Sequence, residues 1–199
     1  MYIGNEGNMI RFLRIISAMI VGLTLGLFVQ FFLGMICQVS GTSMVPTLPD
    51  HKFVLVSRLS HVMNKAPDYG DIVIIDSRVD RPRTMKDDIV APFQQIHRIL
   101  TRAEPNTDIW VKRIIGKAGD TLAFKNGHVY RNGQVLEEDY LLEDFMTYTV
   151  PAPYTIPEDT VFVMGDNRNH STDSRFIGPV PIDHVLGTVV LYWKQKISS

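Results

Sequence analysis

The sequence has too few cysteines for a disulfide and too little charge imbalance for a nucleic-acid-binding protein. Its one cysteine, Cys37, excludes an intrachain disulfide and a CxxC metal or redox motif. The 20 basic side chains nearly balance the 21 acidic ones, so nucleic acid is not an expected partner. The six histidines show no compact zinc-binding spacing. We therefore expect neither a metal nor another cofactor.

Charge is missing from one long stretch, since no Asp, Glu, Lys or Arg occurs from Ile15 to Pro49. Its first part, 15–37, would span roughly 34 Å as a helix, against a hydrocarbon thickness of roughly 30 Å. A cleaved signal peptide would have a shorter apolar region and a small-x-small exit. A lipoprotein signal also fits poorly, because bulky Ile36 precedes the cysteine. We interpret the segment as an uncleaved transmembrane anchor.

The positions of the positive charges predict the orientation of this anchor. Arg11 and Arg14 precede it and no basic residue follows closely, so 1–14 is expected in the cytoplasm and 38–199 outside the plasma membrane. Membrane lipid is therefore an expected partner. Gly22–Gly26 forms a G-x-x-x-G pattern that could pack two such helices, and the oligomeric state stays open.

Beyond the anchor, short apolar runs rich in β-branched and aromatic residues alternate with Gly, Pro, Asn and Asp, which predicts a mainly β fold. Asn126-Gly127 and Asn132-Gly133 are hairpin-turn dipeptides and predict a small β meander over 121–135, within a small β subdomain at about 121–157. The polar or proline-containing segments 78–88 and 137–157 predict surface loops or a smaller subdomain. The predicted strands are 53–57, 71–76, 95–100, 108–115, 121–125, 128–130, 160–164 and 187–193.

The charge-free run ends in a turn that contains Ser43. Gly41 lies two residues before this serine and Pro46 three residues after it, which favours a bent backbone that could present the hydroxyl to a substrate. Serines in such turns commonly serve the turn alone, so this segment leaves both interpretations open.

Lys112 is a candidate general base, because it lies in a strongly apolar predicted strand. Burial disfavours the ammonium and can lower the pKa of a lysine by several units from about 10.4. A lysine with a pKa near 8 could accept a proton from a serine. The alternative is that Lys112 faces solvent from the polar side of its strand.

The segment 165–178 concentrates hydroxyls, carboxylates and guanidiniums between two apolar strands. Asp173 and Arg175 could pair bidentately and fix the loop. A serine hydroxyl of this loop could hydrogen-bond a neutral lysine and orient it. The alternative is a solvated surface turn.

Together these segments resemble the type I signal peptidase family, the membrane-bound serine proteases that remove signal peptides from exported proteins. The resemblance covers most of the chain, in the family's order after one anchor, and is greatest to Gram-positive-like bacterial members. The motifs that carry it are Ser43–Thr47, Tyr69–Val73, Trp110–Asp120 and Gly165–Gly178.

The resemblance implies that Ser43 is the nucleophile and Lys112 its general base, in a Ser/Lys dyad without histidine. It also implies that the backbone N–H of Ser43 holds the oxyanion. Four residues match supporting positions, with Ser171 orienting the lysine, Asp173 and Arg175 forming a structural ion pair, and Asp166 in the same loop.

The resemblance also implies the substrates and partners. Val39, Met44 and Val111 fall at pocket-lining positions of the family, which implies shallow apolar pockets for small residues before the cut. The expected substrates are signal peptides of secreted preproteins, with a functional link to the secretion translocon.

Two features depart from the family pattern. Some members have a serine two positions before the nucleophile as an oxyanion donor, whereas this chain has Gly41 there, and Ser40 is offset by one residue. His97 lies in a sequence that faintly resembles the endoplasmic-reticulum type, in which histidine is the base. Lys112 is preferred because the Ile-Gly-x-x-Gly-Asp continuation follows it.

Two other functions compete with this interpretation. One is a Ser/Lys self-cleaving protease related to the SOS-response repressors, which are soluble, so the anchor argues against it. The other is a membrane-anchored β-domain without activity that serves as a binding or scaffold module.

Overall fold

A computed structural model of the chain describes residues 4–32, 34–84, 86–87, 101, 107–143, 145–147 and 153–192. Helix α1 spans Gly4–Phe32, and its described side chains are exposed. Its segment Asn8–Gly26 is long and apolar enough to cross a membrane. The helix begins earlier than the predicted anchor and ends before Cys37, which instead lies in a strand. Apolarity alone could not distinguish the end of the helix from an apolar strand that follows it.

The described residues contain a main sheet of seven strands in which all neighbours are antiparallel. In spatial order its strands are β1 (Met35–Gln38), β2 (Phe53–Ser57), β11 (Val185–Leu191), β3 (Ile72–Asp76), β4 (Ile109–Lys117), β9 (Thr160–Met164) and β10 (Val180–Pro181). Short helical elements among the described residues include α2 (Leu59–Val62), α3 (Ser174–Ile177) and the 3-10 turns Arg168–His170 and Ile182–His184.

A second, four-stranded antiparallel sheet continues from β4. Its strands, in spatial order, are β7 (Gln134–Val135), β6 (His128–Arg131), β5 (Thr121–Lys125) and β8 (Tyr154–Thr155). Both central residues of its two hairpin turns, Asn126-Gly127 and Asn132-Gly133, have positive φ, as the turn chemistry predicted.

Within the described residues three apolar clusters stabilise these sheets, and β4 contributes to all of them. The first packs the Ser43 turn onto the main sheet and includes Met44, Leu48, Ile72, Ile74 and Leu186. The second lies under the small sheet around Leu122 and Phe162, with Ile115 from β4. The third fills the other face of the main sheet around Val73 and Val163, with Ile114 from β4. Successive β4 side chains therefore enter different clusters, as the alternation along a strand requires.

The mainly β prediction is confirmed, and most strands lie within two residues of their predicted bounds. The predicted strand 95–100 lies outside the described residues. The strands β8 and β10 have two residues each, too short for an alternating pattern to reveal.

Candidate active site

Ser43 lies in a turn that is held in place by apolar packing and by hydrogen bonds. Met44 and Leu48 are buried in the first apolar cluster, and the Leu48 N–H donates to the Met44 carbonyl at 2.8 Å. Gly41 bends the chain before the turn with φ of +95°, and its N–H donates to Asp50 Oδ1 at 2.8 Å. These contacts fix the backbone while Ser43 itself is only partly buried.

Lys112 reaches Ser43 from the centre of β4. Lys112 pairs with Val73 on β3. Only 4% of Lys112 is exposed, so the alternative in which it faces solvent does not apply. Its Nζ donates to Ser43 Oγ at 2.8 Å. Burial lowers the pKa of Lys112 from 10.5 to about 8, against the opposing effect of the Asp173 carboxylate. A lysine so placed is a usable proton acceptor near neutral pH.

Asp173 organises the 165–178 loop from a fully buried position. Arg175 pairs with it bidentately, with Nε and one terminal nitrogen each 2.8 Å from a carboxylate oxygen. The carboxylate also accepts from the Gly165 N–H at 3.0 Å and from Ser171 Oγ at 2.8 Å. The loop is therefore a constrained buried structure and not a solvated turn.

Ser171 uses its hydroxyl hydrogen on Asp173, and within the described residues no hydrogen bond joins Ser171 to Lys112. Because its hydrogen is already used, Ser171 Oγ could only accept a hydrogen bond from the Lys112 amine. The sequence suggested that a serine hydroxyl of this loop could bond to a neutral lysine, whereas the Ser171 hydroxyl bonds to Asp173.

Asp166 forms a second buried ion pair, with Arg113, the residue after Lys112. The guanidinium bonds bidentately to the carboxylate, at 2.8 and 2.6 Å. It also donates to the Gly70 carbonyl at 2.8 Å and to Thr47 Oγ1 at 3.3 Å. This pair therefore joins β4, the Ser43 turn and the 165–178 loop.

The three residues predicted to line substrate pockets come together in the first apolar cluster. Val39 and Met44 are buried members, and Val111 is partly buried against them. Ser40 is exposed beside them. The rival base, His97, lies outside the described residues.

Gly165 and Asn167 are site residues whose contacts the sequence did not reveal. The Asn167 N–H donates to the Ser43 carbonyl at 3.0 Å, and its side-chain nitrogen donates to the Thr42 carbonyl at 3.2 Å. A Cβ at Gly165 would lie 2.5 Å from the Ser43 carbonyl oxygen and would also overlap Ser171. A glycine at the junction of the apolar strand β9 and the polar loop was the only local signal of such a close approach.

Comparison with known proteins shows the family of the chain. The sequence model of the signal peptidase family, peptidase S26, matches residues 12–194. The chain belongs to the signal peptidase S26 family. It is accordingly a serine endopeptidase, a hydrolase that removes signal peptides from preproteins.

Individual relatives agree with this membership. A probable signal peptidase I-1 of Synechocystis is 32% identical over 172 residues, which cover 86% of this chain and 77% of the relative. The signal peptidase I of Bacillus caldolyticus is 32% identical over 171 residues, 79% of each chain. A crystal structure of a signal peptidase I from Enterococcus faecalis aligns with a TM-score of 0.42 at 27% identity, over 63% of this chain and 98% of that one. The S26 membership rests on the sequence matches.

Proposed function

We propose that Ser43 is the nucleophile and Lys112 the general base with which this signal peptidase cleaves its substrates. The observation that carries the proposal is the 2.8 Å contact between Lys112 Nζ and Ser43 Oγ at a buried lysine. When Lys112 is neutral, the hydrogen bond reverses and the Ser43 hydroxyl donates to Nζ. With a pKa of about 8, roughly a tenth of the lysine is neutral at pH 7.

The reaction then follows the acyl-enzyme route. Ser43 Oγ attacks the scissile carbonyl carbon while its proton moves to Lys112, and the resulting ammonium protonates the leaving amine nitrogen. Water, deprotonated by neutral Lys112, hydrolyses the ester and regenerates Ser43. Within the described part of the chain the Ser43 N–H donates to no protein acceptor, so it can bind the oxyanion.

Residues of the 165–178 loop support this chemistry because they hold the Ser43 turn and Lys112 in place. Asp173 and Arg175 fix the backbone that meets the Ser43 turn, and Ser171 Oγ offers an acceptor to the Lys112 ammonium. Asp166 holds Arg113 beside the lysine. Val39, Met44 and Val111 form an apolar floor suited to small side chains before the cut.

We further propose that the catalytic domain works at the outer face of the plasma membrane, with α1 as the anchor. Arg11 and Arg14 favour a cytoplasmic N-terminus. Ile36, Leu55 and Leu191 are cross-strand neighbours on β1, β2 and β11, and all three are exposed, which suits contact with lipid. A site so placed would meet signal peptides as they leave the translocon.

Cleavage of a preprotein whose signal sequence ends in Ala-x-Ala, by the full chain in detergent, tests the proposal. Ser43→Ala and Lys112→Ala should each abolish cleavage, whereas His97→Ala should leave it largely intact. Loss of cleavage in His97→Ala with retention in Lys112→Ala would overturn the assignment of the base. Family membership does not favour the inactive scaffold or the self-cleaving protease.

A further inference from the structure

A buried polar network connects the segment after β7 to the turn that carries Ser43 and the strand that carries Lys112. Glu138 accepts from the two terminal nitrogens of Arg168, at 2.9 and 2.5 Å. These side chains are only 5% and 2% exposed, although 30 positions separate them in the chain. The Tyr140 hydroxyl donates to the same carboxylate, to Oε1, at 2.6 Å. Glu138 therefore joins two different side chains in one buried site.

The first arm of this network leads through Arg168 to the backbone of Ser43. Arg168 Nε donates to the Gly165 carbonyl at 3.1 Å, and the Arg168 carbonyl accepts from Arg175 at 2.7 Å. Gly165 is the residue that lies directly against the Ser43 carbonyl. Any displacement of Arg168 would thus be transmitted to the backbone on which the Ser43 turn rests.

The second arm leads through Tyr140 to Lys112. The Tyr140 ring lies 3.9 Å from the guanidinium carbon of Arg113, a stacking distance. Arg113 follows Lys112 in β4 and donates to Thr47, in the Ser43 turn. Tyr140 thus covers one face of a guanidinium whose edges bind Asp166 and the turn.

We propose that Glu138 and Tyr140 are positioning residues for catalysis. They hold the side chains of Ser43 and Lys112 in their relative positions, although both lie outside the sequence motifs that contain the dyad. This inference rests on the proposed dyad. Glu138 fixes the Ser43 backbone through Arg168, and Tyr140 fixes the lysine strand through Arg113. Proton transfer within the dyad is sensitive to small misplacements, so loss of either residue slows the chemical step more than it weakens substrate binding.

The experiment compares kcat and KM for signal-peptide cleavage by the full chain in detergent, below the Tm of each variant. For Glu138→Gln we expect kcat to fall about tenfold or more with KM within about twofold. Glu137→Gln is the matched control, because it removes the adjacent, exposed carboxylate. Tyr140→Leu should also lower kcat about tenfold, and Tyr140→Phe, which keeps the ring over Arg113, should lower it less.

Tyr130→Leu is the control for the tyrosine, since it removes a comparable ring that lies 4.5 Å from Lys125 Nζ on the small sheet. It should leave kcat unchanged. Folded Glu138→Gln and Tyr140→Leu with wild-type kcat, or with changes confined to KM, would overturn the inference. If Glu138→Gln does not fold, the comparison of kcat between Tyr140→Leu and Tyr140→Phe tests the inference instead. An inactive wild type would overturn the proposed function and this inference together.

Discussion

The main-chain N–H of Asn167 donates to the carbonyl of Ser43 at 3.0 Å, so the candidate nucleophile and the 165–178 loop form one unit. The Asn167 side chain adds a second bond, to the Thr42 carbonyl. The position of Ser43 Oγ relative to Lys112 therefore depends on how closely the loop approaches the turn.

Gly165→Ala should lower kcat strongly while the protein remains folded. The new Cβ would lie 2.5 Å from the Ser43 carbonyl oxygen, so the turn or the loop must move. We expect a loss of about 100-fold in kcat, measured by preprotein cleavage. Gly26→Ala in α1 is the control, because a Cβ there meets nothing within 4 Å and a helical backbone accepts alanine. Equal activity of Gly165→Ala and wild type would show that the contact does not position Ser43.

Asp173→Asn should destabilise the protein severely. The change leaves the buried Arg175 guanidinium without its anion and also weakens the acceptor for Ser171 and Gly165. Breaking a buried pair from one side typically costs about 3–5 kcal/mol in the free energy of unfolding. Chemical denaturation measures this cost, with the exposed Asp183→Asn as control. A difference below about 1 kcal/mol would mean that the pair is less buried than described.

Lys112→Met should stabilise the folded protein at neutral pH while it abolishes cleavage. Lys112 has a folded pKa of about 8 and a usual value of 10.5, so below pH 8 the folded state bears the full cost of a buried ammonium. Between these values the unfolded state holds more protons, so wild-type stability rises with pH.

We therefore expect Lys112→Met to exceed the wild type in unfolding free energy by about 1–3 kcal/mol at pH 7 and by much less at pH 10.5. Thermal unfolding in detergent at both pH values checks this. An advantage for Lys112→Met that does not change with pH would indicate an ordinary packing effect instead of the removal of a charge.

Features that depend on a local sequence pattern, such as hairpin turns and apolar strands, could be predicted from the sequence. The hairpin dipeptides at Asn126 and Asn132 predicted the small sheet, and the apolar setting of Lys112 predicted a buried lysine as one of two alternatives. The approach of Lys112 to Ser43 was inferred from resemblance alone, because 69 positions separate them and no periodicity connects them.

The polar network around the site was not predictable from such patterns. The sequence patterns assigned no role to Arg113, and Glu138 lay in a polar segment that predicted surface loops or a smaller subdomain. Their partners, Asp166 and Arg168, are distant in sequence, and only the folding of the two sheets brings each pair together. Polar residues that pair over long distances leave no hydrophobic period to detect.

The pH dependence of kcat/KM tests the Ser43/Lys112 dyad most directly, using a neutral Ala-x-Ala substrate without titratable groups. Only neutral Lys112 can accept the serine proton, so kcat/KM should rise with pH through a single ionisation at about 8 and then level off. His97→Ala should leave this ionisation in place. A rise centred near 6.5, the usual histidine value, that disappears in His97→Ala would contradict the dyad.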